Sequence, residues 1–508
     1  MRLHRRLLRG SWIHTRRVVR HYGLVTEGSE ARVRAQVLSR HRPLNRRCHT
    51  GRVSTESRRS VRSIESRAEP VPSVESVRID AMAAGGDAIA RLADGQVVFV
   101  RGALPSEQVQ IRVQRGRDFA RGILLKVEVS SPDRIAPPCP AVAAGCGGCS
   151  WQHIRPGAQR ELKRSIVVDA LRRIGKLSDA ESLVHHGPRL PDTGYRTTVR
   201  LGVGADGRAG FRAHGSRDVV PLPAQGCLVA APALSEAMRS IEATSPSWAS
   251  RAASSGEEIQ IRASLATGAI EVTAVHRGGS AGHRQIRLVN AADRSRGALV
   301  EVVSGVGLRI SRDSFFQARP DGAEALVALV AAALAGHIDP STTTFVDLYG
   351  GVGLFAATTG RQAARVVLVE GAESAVADAS RNLELRLRGL TATVVRADVN
   401  DWRPTSSELG PDVVVVADPA RAGLGRGGVA AIKACRPKRL VLVSCDAAAL
   451  ARDTMLLHAA SLELRTATVV DLFPHTAHIE VVSVFDPILR PSPRPRPTTE
   501  EVIGNLSE

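Results

Sequence analysis

Residues 345–355 read FVDLYGGVGLF, and the continuation to Glu370, AATTGRQAARVVLVE, completes the unit on which the fold turns. An apolar run carrying Asp347 near its end reads as a buried strand. Gly350, Gly351 and Gly353 then turn the chain, and small residues over Leu354–Thr359 read as a helix. The next apolar run, VVLVE, closes on an acid twenty residues after the first glycine. Such spacing suits a nucleoside: glycines let backbone approach the ligand, and an acid at the end of the next strand accepts hydrogen bonds from ribose hydroxyls.

Two ligands satisfy that pattern, because Gly351-x-Gly353-x-x-Ala356 also meets the relaxed dinucleotide fingerprint. Later runs decide between them. VVRAD ends at Asp398, VVVVAD at Asp418 and LVLVSC at Cys445. Acids at successive strand ends, with Asp347 just before the glycine turn, resemble a class I S-adenosylmethionine methyltransferase more than a dehydrogenase. The bland alternative is an ordinary α/β sheet with a tight βα turn.

The length of 508 residues suits about three domains. The formal charge is +19, but residues 1–70 hold 18 Arg and no Lys against 5 Glu and no Asp, so most of the excess sits there. A basic tail does not by itself make the folded part a nucleic-acid binder. No apolar run reaches the ~18 residues of a membrane span; ALVALVAAALAG (Ala325–Gly336) reads as a core helix. Seven cysteines over this length are no disulfide framework, and four have cluster-like placement, which points to a reducing, cytoplasmic interior. Arg outnumbers Lys 64 to 5, which suggests a GC-rich bacterial genome.

Residues 1–70 lack sustained periodicity and read as a disordered basic arm, a transit peptide or an extension from a misassigned start. Short alternating runs from Val74 to Val129, punctuated by glycines, make a small OB-type barrel. VVFVRGALPSEQVQIRV within it resembles the TRAM domain, an RNA-binding barrel of RNA-modifying enzymes. Only Phe99 and Phe119 are there to stack on bases, so contacts to RNA would rest on Arg and phosphate. Next comes PPCPAVAAGCGGCSWQH, with Cys139, Cys146 and Cys149 spaced C-x6-C-x2-C, and later Cys227. Three close thiols and a remote one are soft ligands for zinc or an iron–sulfur cluster, structural or regulatory; free thiols are the alternative. RELKRSIVVDALRRIGKL (Arg160–Leu177) has helical periodicity, with Ile166, Val167, Ala170, Leu171 and Ile174 on one face and its cations mostly on the other, read as solvated in preference to RNA-facing. A hairpin with ADG as its turn follows, and the chain stays mixed and β-rich to about Val306.

Cys445 and Glu480 carry the chemistry. Cys445 ends a strand at the carboxyl edge, and Glu480, in DLFPHTAHIEVVSVF, heads the final strand. Carbon 5 of uracil is too weak a nucleophile to attack a sulfonium methyl. A thiolate adding at carbon 6 makes it an enolate, and after methyl transfer a base must take the carbon-5 proton so that elimination frees the thiol. One thiol and one carboxylate suffice. Asp446 would suppress thiolate formation unless its side chain points away. Arg421, Arg452, His475 and His478 are candidate compensating charges, and Cys435 is the alternative nucleophile. A buried strand-end cysteine is the plain structural reading of Cys445.

From about Val74 to Pro487 the chain resembles the RNA 5-methyluridine methyltransferase family, through SFFQ (Ser314–Gln317), DLYGGVG, DPARAG, VSCDAAALARD and DLFPHTAHIE. The resemblance implies an α/β fold: a Rossmann-like methyltransferase domain (307–490) after a TRAM barrel (71–130) and a mixed, β-rich central domain with the cysteine cluster (131–306). Disordered ends, 1–70 and 491–508, flank it. It also implies that Gln317, Tyr349, Glu370 and Asp418 contact S-adenosylmethionine, that Cys445 is the nucleophile and Glu480 the proton acceptor, and that Cys139, Cys146, Cys149 and Cys227 hold a 4Fe–4S cluster. Asp398 fits an adenine-binding acid by position. The expected partner is RNA, ribosomal rather than transfer RNA, for a monomer off the membrane. Six residues separate Cys139 from Cys146 where five are common, SCDA replaces SCNP, DPAR replaces DPPR, and Leu354 stands where asparagine is frequent. An RNA 5-methylcytosine methyltransferase would keep a cysteine in Asp418–Gly423, and none is there. The other alternative is an iron–sulfur RNA-binding protein without catalysis, against which the intact site residues argue.

Overall fold

The computed structural model describes residues 73–204, 208–243, 258–275, 298–386 and 391–488, all within one compact unit, Glu69–Glu508. The expected basic arm, the ADG turn and the C-terminal tail from 491 lie outside them.

Strands β1 (Val74–Met82), β2 (Ala88–Arg91), β3 (Val97–Val100), β4 (Gln108–Arg115) and β5 (Ala120–Val129) close a barrel in the order β1-β2-β3-β5-β4. Alternate residues point inward, so Val77, Ile79, Val98, Val100, Val109 and Ile111 fill it. Buried Glu107 accepts the Leu104 and Ser131 N–H groups and the forked guanidinium of Arg134 (Nε 2.5 Å, Nη2 2.8 Å). That pair clamps the barrel to the segment leaving it.

The helix Pro156–Arg173 starts earlier and ends sooner than the periodicity suggests, at a proline whose missing N–H costs nothing in a first turn. Ile166, Val167, Ala170 and Leu171 are buried, whereas Ile174 lies past the helix and is exposed. Its cations do not all face water. Lys163 is fully buried, donating to Asp471 Oδ1 (2.6 Å) and the Phe473 carbonyl (3.1 Å).

After β6 (Val184–His186), strands β7 (Thr198–Val203), β8 (Ala209–Arg212), β9 (Val219–Pro221), β10 (Glu258–Ala263) and β11 (Ile270–Val275) form a sheet in the order β11-β10-β7-β8-β9. Helix Pro232–Ala243 packs on it through Leu234, Ala237 and Met238. A hairpin, β12 (Ala298–Val303) and β13 (Val306–Ser311), leads to helix Pro320–Leu334, the expected apolar core helix.

Strands β14 (Thr344–Leu348), β15 (Arg365–Glu370), β16 (Thr391–Arg396), β17 (Val413–Ala417), β18 (Arg439–Ser444), β19 (Leu462–Val470) and β20 (Glu480–Pro487) join β6 in an eight-stranded sheet, β16-β15-β14-β17-β18-β20-β19-β6. β14 to β18 run parallel, and β20 is antiparallel between β18 and β19. Order reverses between β14 and β17, the switch point at whose carboxyl ends open α/β sheets take ligands. β6, from the cysteine-bearing stretch, extends this sheet.

Candidate active site

At the switch point the glycine turn and the acid meet. Gly351 N–H donates to Glu370 Oε2 (3.0 Å) and Ala372 N–H to Oε1 (2.7 Å), so the carboxylate is held in the turn with lone pairs to spare. Tyr349 takes a left-handed φ of 59° and Gly353 one of 90° where the helix Leu354–Thr358 begins. Asp347 is buried in β14; its Oδ2 accepts the Ala356 N–H (2.9 Å), bracing that helix. Burial, with Asp418 and Glu370 adding, raises it to about 8, so it is a neutral acid at pH 7. The Tyr349 hydroxyl abuts Gly428, where a Cβ would come within 2.6 Å of it, and burial pushes it up to about 12. Exposed Asp398 turns back on its own loop, accepting from Asn400 N (2.8 Å) and Nδ2 (2.9 Å) through one oxygen. Gln317 is buried at the end of a segment anchored by Asp378, which accepts Ser311 N–H (2.6 Å), Ser311 Oγ (2.7 Å) and Ser314 Oγ (2.7 Å). Asn382, one helical turn on, donates to the Val352 and Arg309 carbonyls. Sequence reasoning missed Asp378 and Asn382; two polar residues four apart, on the face that helix Glu373–Arg386 buries, were the signal.

A second set converges at β18 and β20. Ser444 pairs with Val481, which brings Cys445, the next residue along, beside Glu480, the first of β20. Asp418 follows β17 on the same edge. Glu480 is buried, and desolvation together with Asp418 raises its carboxyl well above the ordinary range. Asp418 rises to about 7 by burial. Burial, then Glu480 and Asp418, push the Cys445 thiol up to about 11, and Arg421 opposes them. Asp446 does not suppress ionisation. Its side chain caps the helix Ala447–Ala459, accepting the Ala449 N–H at 2.8 Å. Of the four candidate charges only Arg421 acts on the thiol. His478, lowered to about 4 by burial and Arg421, is neutral and meets Arg421 Nη2 at 2.9 Å through Nδ1. His475 is lowered by burial and held by Gln159, whose Oε1 accepts its N–H at 2.6 Å. Arg452 is exposed and acts on Asp453. Cys435 is buried at the end of helix Gly425–Cys435, before β18, at the opposite edge of the sheet.

Cys445 lies in a cavity of about 320 Å³, shared by three parts of the chain. Arg421 and His478 line it from the carboxyl edge of the sheet, Ala84–Asp87 and Arg101 from the barrel, and, from the middle of the chain, Gly147 and Gly148 in the cysteine-bearing stretch and His214 in the loop after β8. Gly86 (φ 88°) fixes the barrel's approach: a Cβ there would stand 2.3 Å from that of Ala477. Trp151 ties the three together, Nε1 donating to Gly86 O (3.0 Å) and N–H to His475 O (2.9 Å).

Cys139, Cys146, Cys149 and Cys227 line one small cavity with apolar walls that include Val142, Phe211 and Leu228. None is in a disulfide. Burial raises Cys146, Cys149 and Cys227, and the nearby backbone of Gly148, Val229 and Ala230 and the Gln152 side chain partly offset it. Among the described residues no three or more His, Cys, Asp or Glu are placed to hold a single metal ion. Apolar walls with polar backbone near the sulfurs suit clustered thiolates. The cavity adjoins the segment leading into Glu480, since Phe473 packs on Cys149, Tyr195 and Val229, and Tyr195 Oη donates to Pro474 O (3.0 Å).

A glycine turn with its acid at the switch point, an antiparallel final strand and a barrel over the carboxyl edge define a class I S-adenosylmethionine-dependent methyltransferase fold joined to a small closed β-barrel. Residues 71–125 match the TRAM domain. A Pyrococcus abyssi structure, tRNA (uracil-54, C5)-methyltransferase with S-adenosyl-L-homocysteine, superposes with a TM-score of 0.60 at 23% identity, covering 81% of this chain and 99% of its own. An RNA methyltransferase of Streptomyces coelicolor is 34% identical over 448 residues, 81% of this chain and 92% of that one. The 23S rRNA (uracil(1939)-C(5))-methyltransferase of Methylococcus capsulatus is 33% identical over 462 residues, 82% and 97% of the two chains. The chain belongs to the RNA 5-methyluridine methyltransferase family.

Proposed function

We propose that the protein methylates carbon 5 of a specific uridine in RNA, ribosomal rather than transfer RNA, through a covalent bond from Cys445 to carbon 6. The observation that carries this reading is the placement of Cys445, in a nucleotide-sized cavity, beside the buried carboxyl of Glu480. Gln317, Tyr349, Glu370, Asp398 and Asp418 would hold S-adenosylmethionine, Glu370 accepting from its ribose hydroxyls with the lone pairs the glycine turn leaves free. Bound there, S-adenosylmethionine supplies an electrophilic methyl group. Arg421 favours the thiolate of Cys445, which adds to carbon 6 and leaves carbon 5 an enolate carbon. Once carbon 5 carries the methyl, Glu480 takes its proton and elimination restores the thiol. Burial and the neighbouring Asp418 raise the Glu480 carboxyl well above the ordinary range, so the base sits where a perturbed acid is expected at a reacting centre.

The four clustered cysteines hold a 4Fe–4S group, which would staple the stretch 139–149 to Cys227 beside the catalytic segment. Anaerobically purified protein should be brown, with iron and sulfide lost in Cys149→Ser; stoichiometric zinc without iron overturns the assignment. Ribosomal preference rests on relatives such as the Methylococcus capsulatus enzyme. Mapping 5-methyluridine in RNA from a deletion strain identifies the target.

The decisive experiment uses RNA containing 5-fluorouridine. Fluorine leaves no proton at carbon 5, so one methylation should strand the RNA on the protein. The adduct should survive denaturing electrophoresis, require S-adenosylmethionine and vanish in Cys445→Ala. Persistence in Cys445→Ala would name another nucleophile. Full turnover of ordinary uridine by Glu480→Gln would move the base elsewhere.

A further inference from the structure

The cavity around Cys445 holds two guanidinium groups, and only one has an occupation. Arg421 acts on the thiol and meets His478. Arg101, from the barrel, lines the same cavity half-buried. No hydrogen bond or ion pair engages its side chain among the described residues; Asp87, on the same lip, tempers the effect of its burial without pairing with it. A guanidinium drawn partly out of water with no partner is costly, and such a cost persists where a ligand completes the site. The group is also pre-positioned. Arg101 opens the turn after β3, and Arg134 Nη2 donates to the adjoining Gly102 carbonyl at 2.6 Å while its fork holds buried Glu107. The barrel beneath Arg101 is thus locked, and Gly86 sets it against Ala477 of the catalytic segment. Beside Arg101 the lip is thin: a Cβ on Gly85 would meet nothing within 4 Å, so a sugar–phosphate chain can pass close to the backbone.

We propose that Arg101 binds a backbone phosphate of the nucleotide whose base enters the Cys445 cavity, so that the barrel holds the target residue itself and not only distant RNA. The inference rests on the reading of Cys445 as nucleophile toward an RNA base. A base alone is recognised by the cavity; the phosphate fixes its depth and direction, which is the orientation that addition at carbon 6 requires. Arg suits this role because its planar fork takes two phosphate oxygens at once.

The test uses the full chain and a short RNA carrying the uridine mapped in the deletion strain. One form has only phosphodiesters; in the others an uncharged methylphosphonate replaces the linkage on the 5′ or the 3′ side of that uridine. Wild-type protein should bind one of the neutralised forms about tenfold more weakly than the natural RNA, the scale of one charge-assisted contact. Arg101→Ala and Arg101→Gln should bind the natural RNA that weakly and no longer distinguish the two, with affinity for S-adenosylmethionine unchanged as the measure of folding. Arg101→Lys should fall between. Variants that bind as tightly as wild type, or that still lose tenfold on neutralisation, overturn the subsite. The reading beneath it is judged separately. If saturating 5-fluorouridine RNA forms the Cys445 adduct in wild type and in Arg101→Ala, that reading stands whatever the binding shows. If wild type forms none, both fall.

Discussion

Cys445 should be a slow thiol in the free protein, for reasons built into the sheet edge. Burial, Glu480 and Asp418 move it from its ordinary 9.0 to about 11. Below pH 9 a rise of two units leaves about a hundredfold less thiolate than a free cysteine has. A more basic thiolate is intrinsically more reactive, and a sensitivity of about 0.4–0.5 per unit returns roughly tenfold. Labelling by iodoacetamide at about pH 7.5 should therefore run roughly tenfold slower than that of free cysteine. The assay is timed labelling of the full chain with quantification of the Cys445 peptide by mass spectrometry from about pH 6.5 to 10. The logarithm of the rate should rise with unit slope through pH 9. Glu480→Gln removes a carboxylate from beside the thiol and should quicken labelling; Arg421→Ala should slow it. A profile that bends over near pH 9, at the rate of free cysteine, would show that the carboxyl pair does not act on this sulfur.

Glu370→Ala should weaken S-adenosylmethionine binding about 10–100-fold by calorimetry, the worth of a charge-assisted contact to ribose; an unchanged constant refutes the role. Asp347, at about 8 when folded against an ordinary 3.8, keeps a proton that the unfolded chain releases, so it costs stability progressively as pH rises from about 4 to 8. Asp347→Asn should thus melt increasingly above wild type between about pH 5 and 8, and a constant difference would contradict this. Gly86→Val must push the barrel off Ala477, so methylation of RNA should fall about a hundredfold with S-adenosylmethionine binding intact. Lys163→Met strands the Asp471 charge and should cost about 3–5 kcal/mol in chemical unfolding, largely recovered by adding Asp471→Leu.

What could be read from the sequence was what local chemistry dictates. The glycine turn, strand-end acids, apolar core helix and alternating barrel strands each follow from residue type and spacing over a few positions, and each is where it was expected. The pairing of Cys445 with Glu480 was legible because each sits at a strand end, although their adjacency needs the antiparallel register. Lys163 was misread because a cation in helical periodicity looks solvated until its partner, Asp471, some three hundred residues on, is known. Asp446 stands just before the alanine-rich run 447–451, the ordinary N-cap position, and that local signal for a side chain turned to the helix was missed. Arg101 belongs to a barrel motif and meets Cys445 only once three parts of the chain have folded together.

The antiparallel insertion of β20 between β18 and β19 has a consequence for how such a site can change. The spacing of thiol and carboxylate is set by a ladder of main-chain hydrogen bonds from Leu440 with Phe485 to Ser444 with Val481. A ladder has rungs: sliding β20 by one residue would turn Glu480 to the opposite face and send its apolar neighbours to the wrong side of the sheet. The gap between the Cys445 thiol and the Glu480 carboxyl is therefore quantised. Drift in loops, barrel or cysteine stretch can reshape the cavity around them, while the spacing of the two groups stays as the sheet left it.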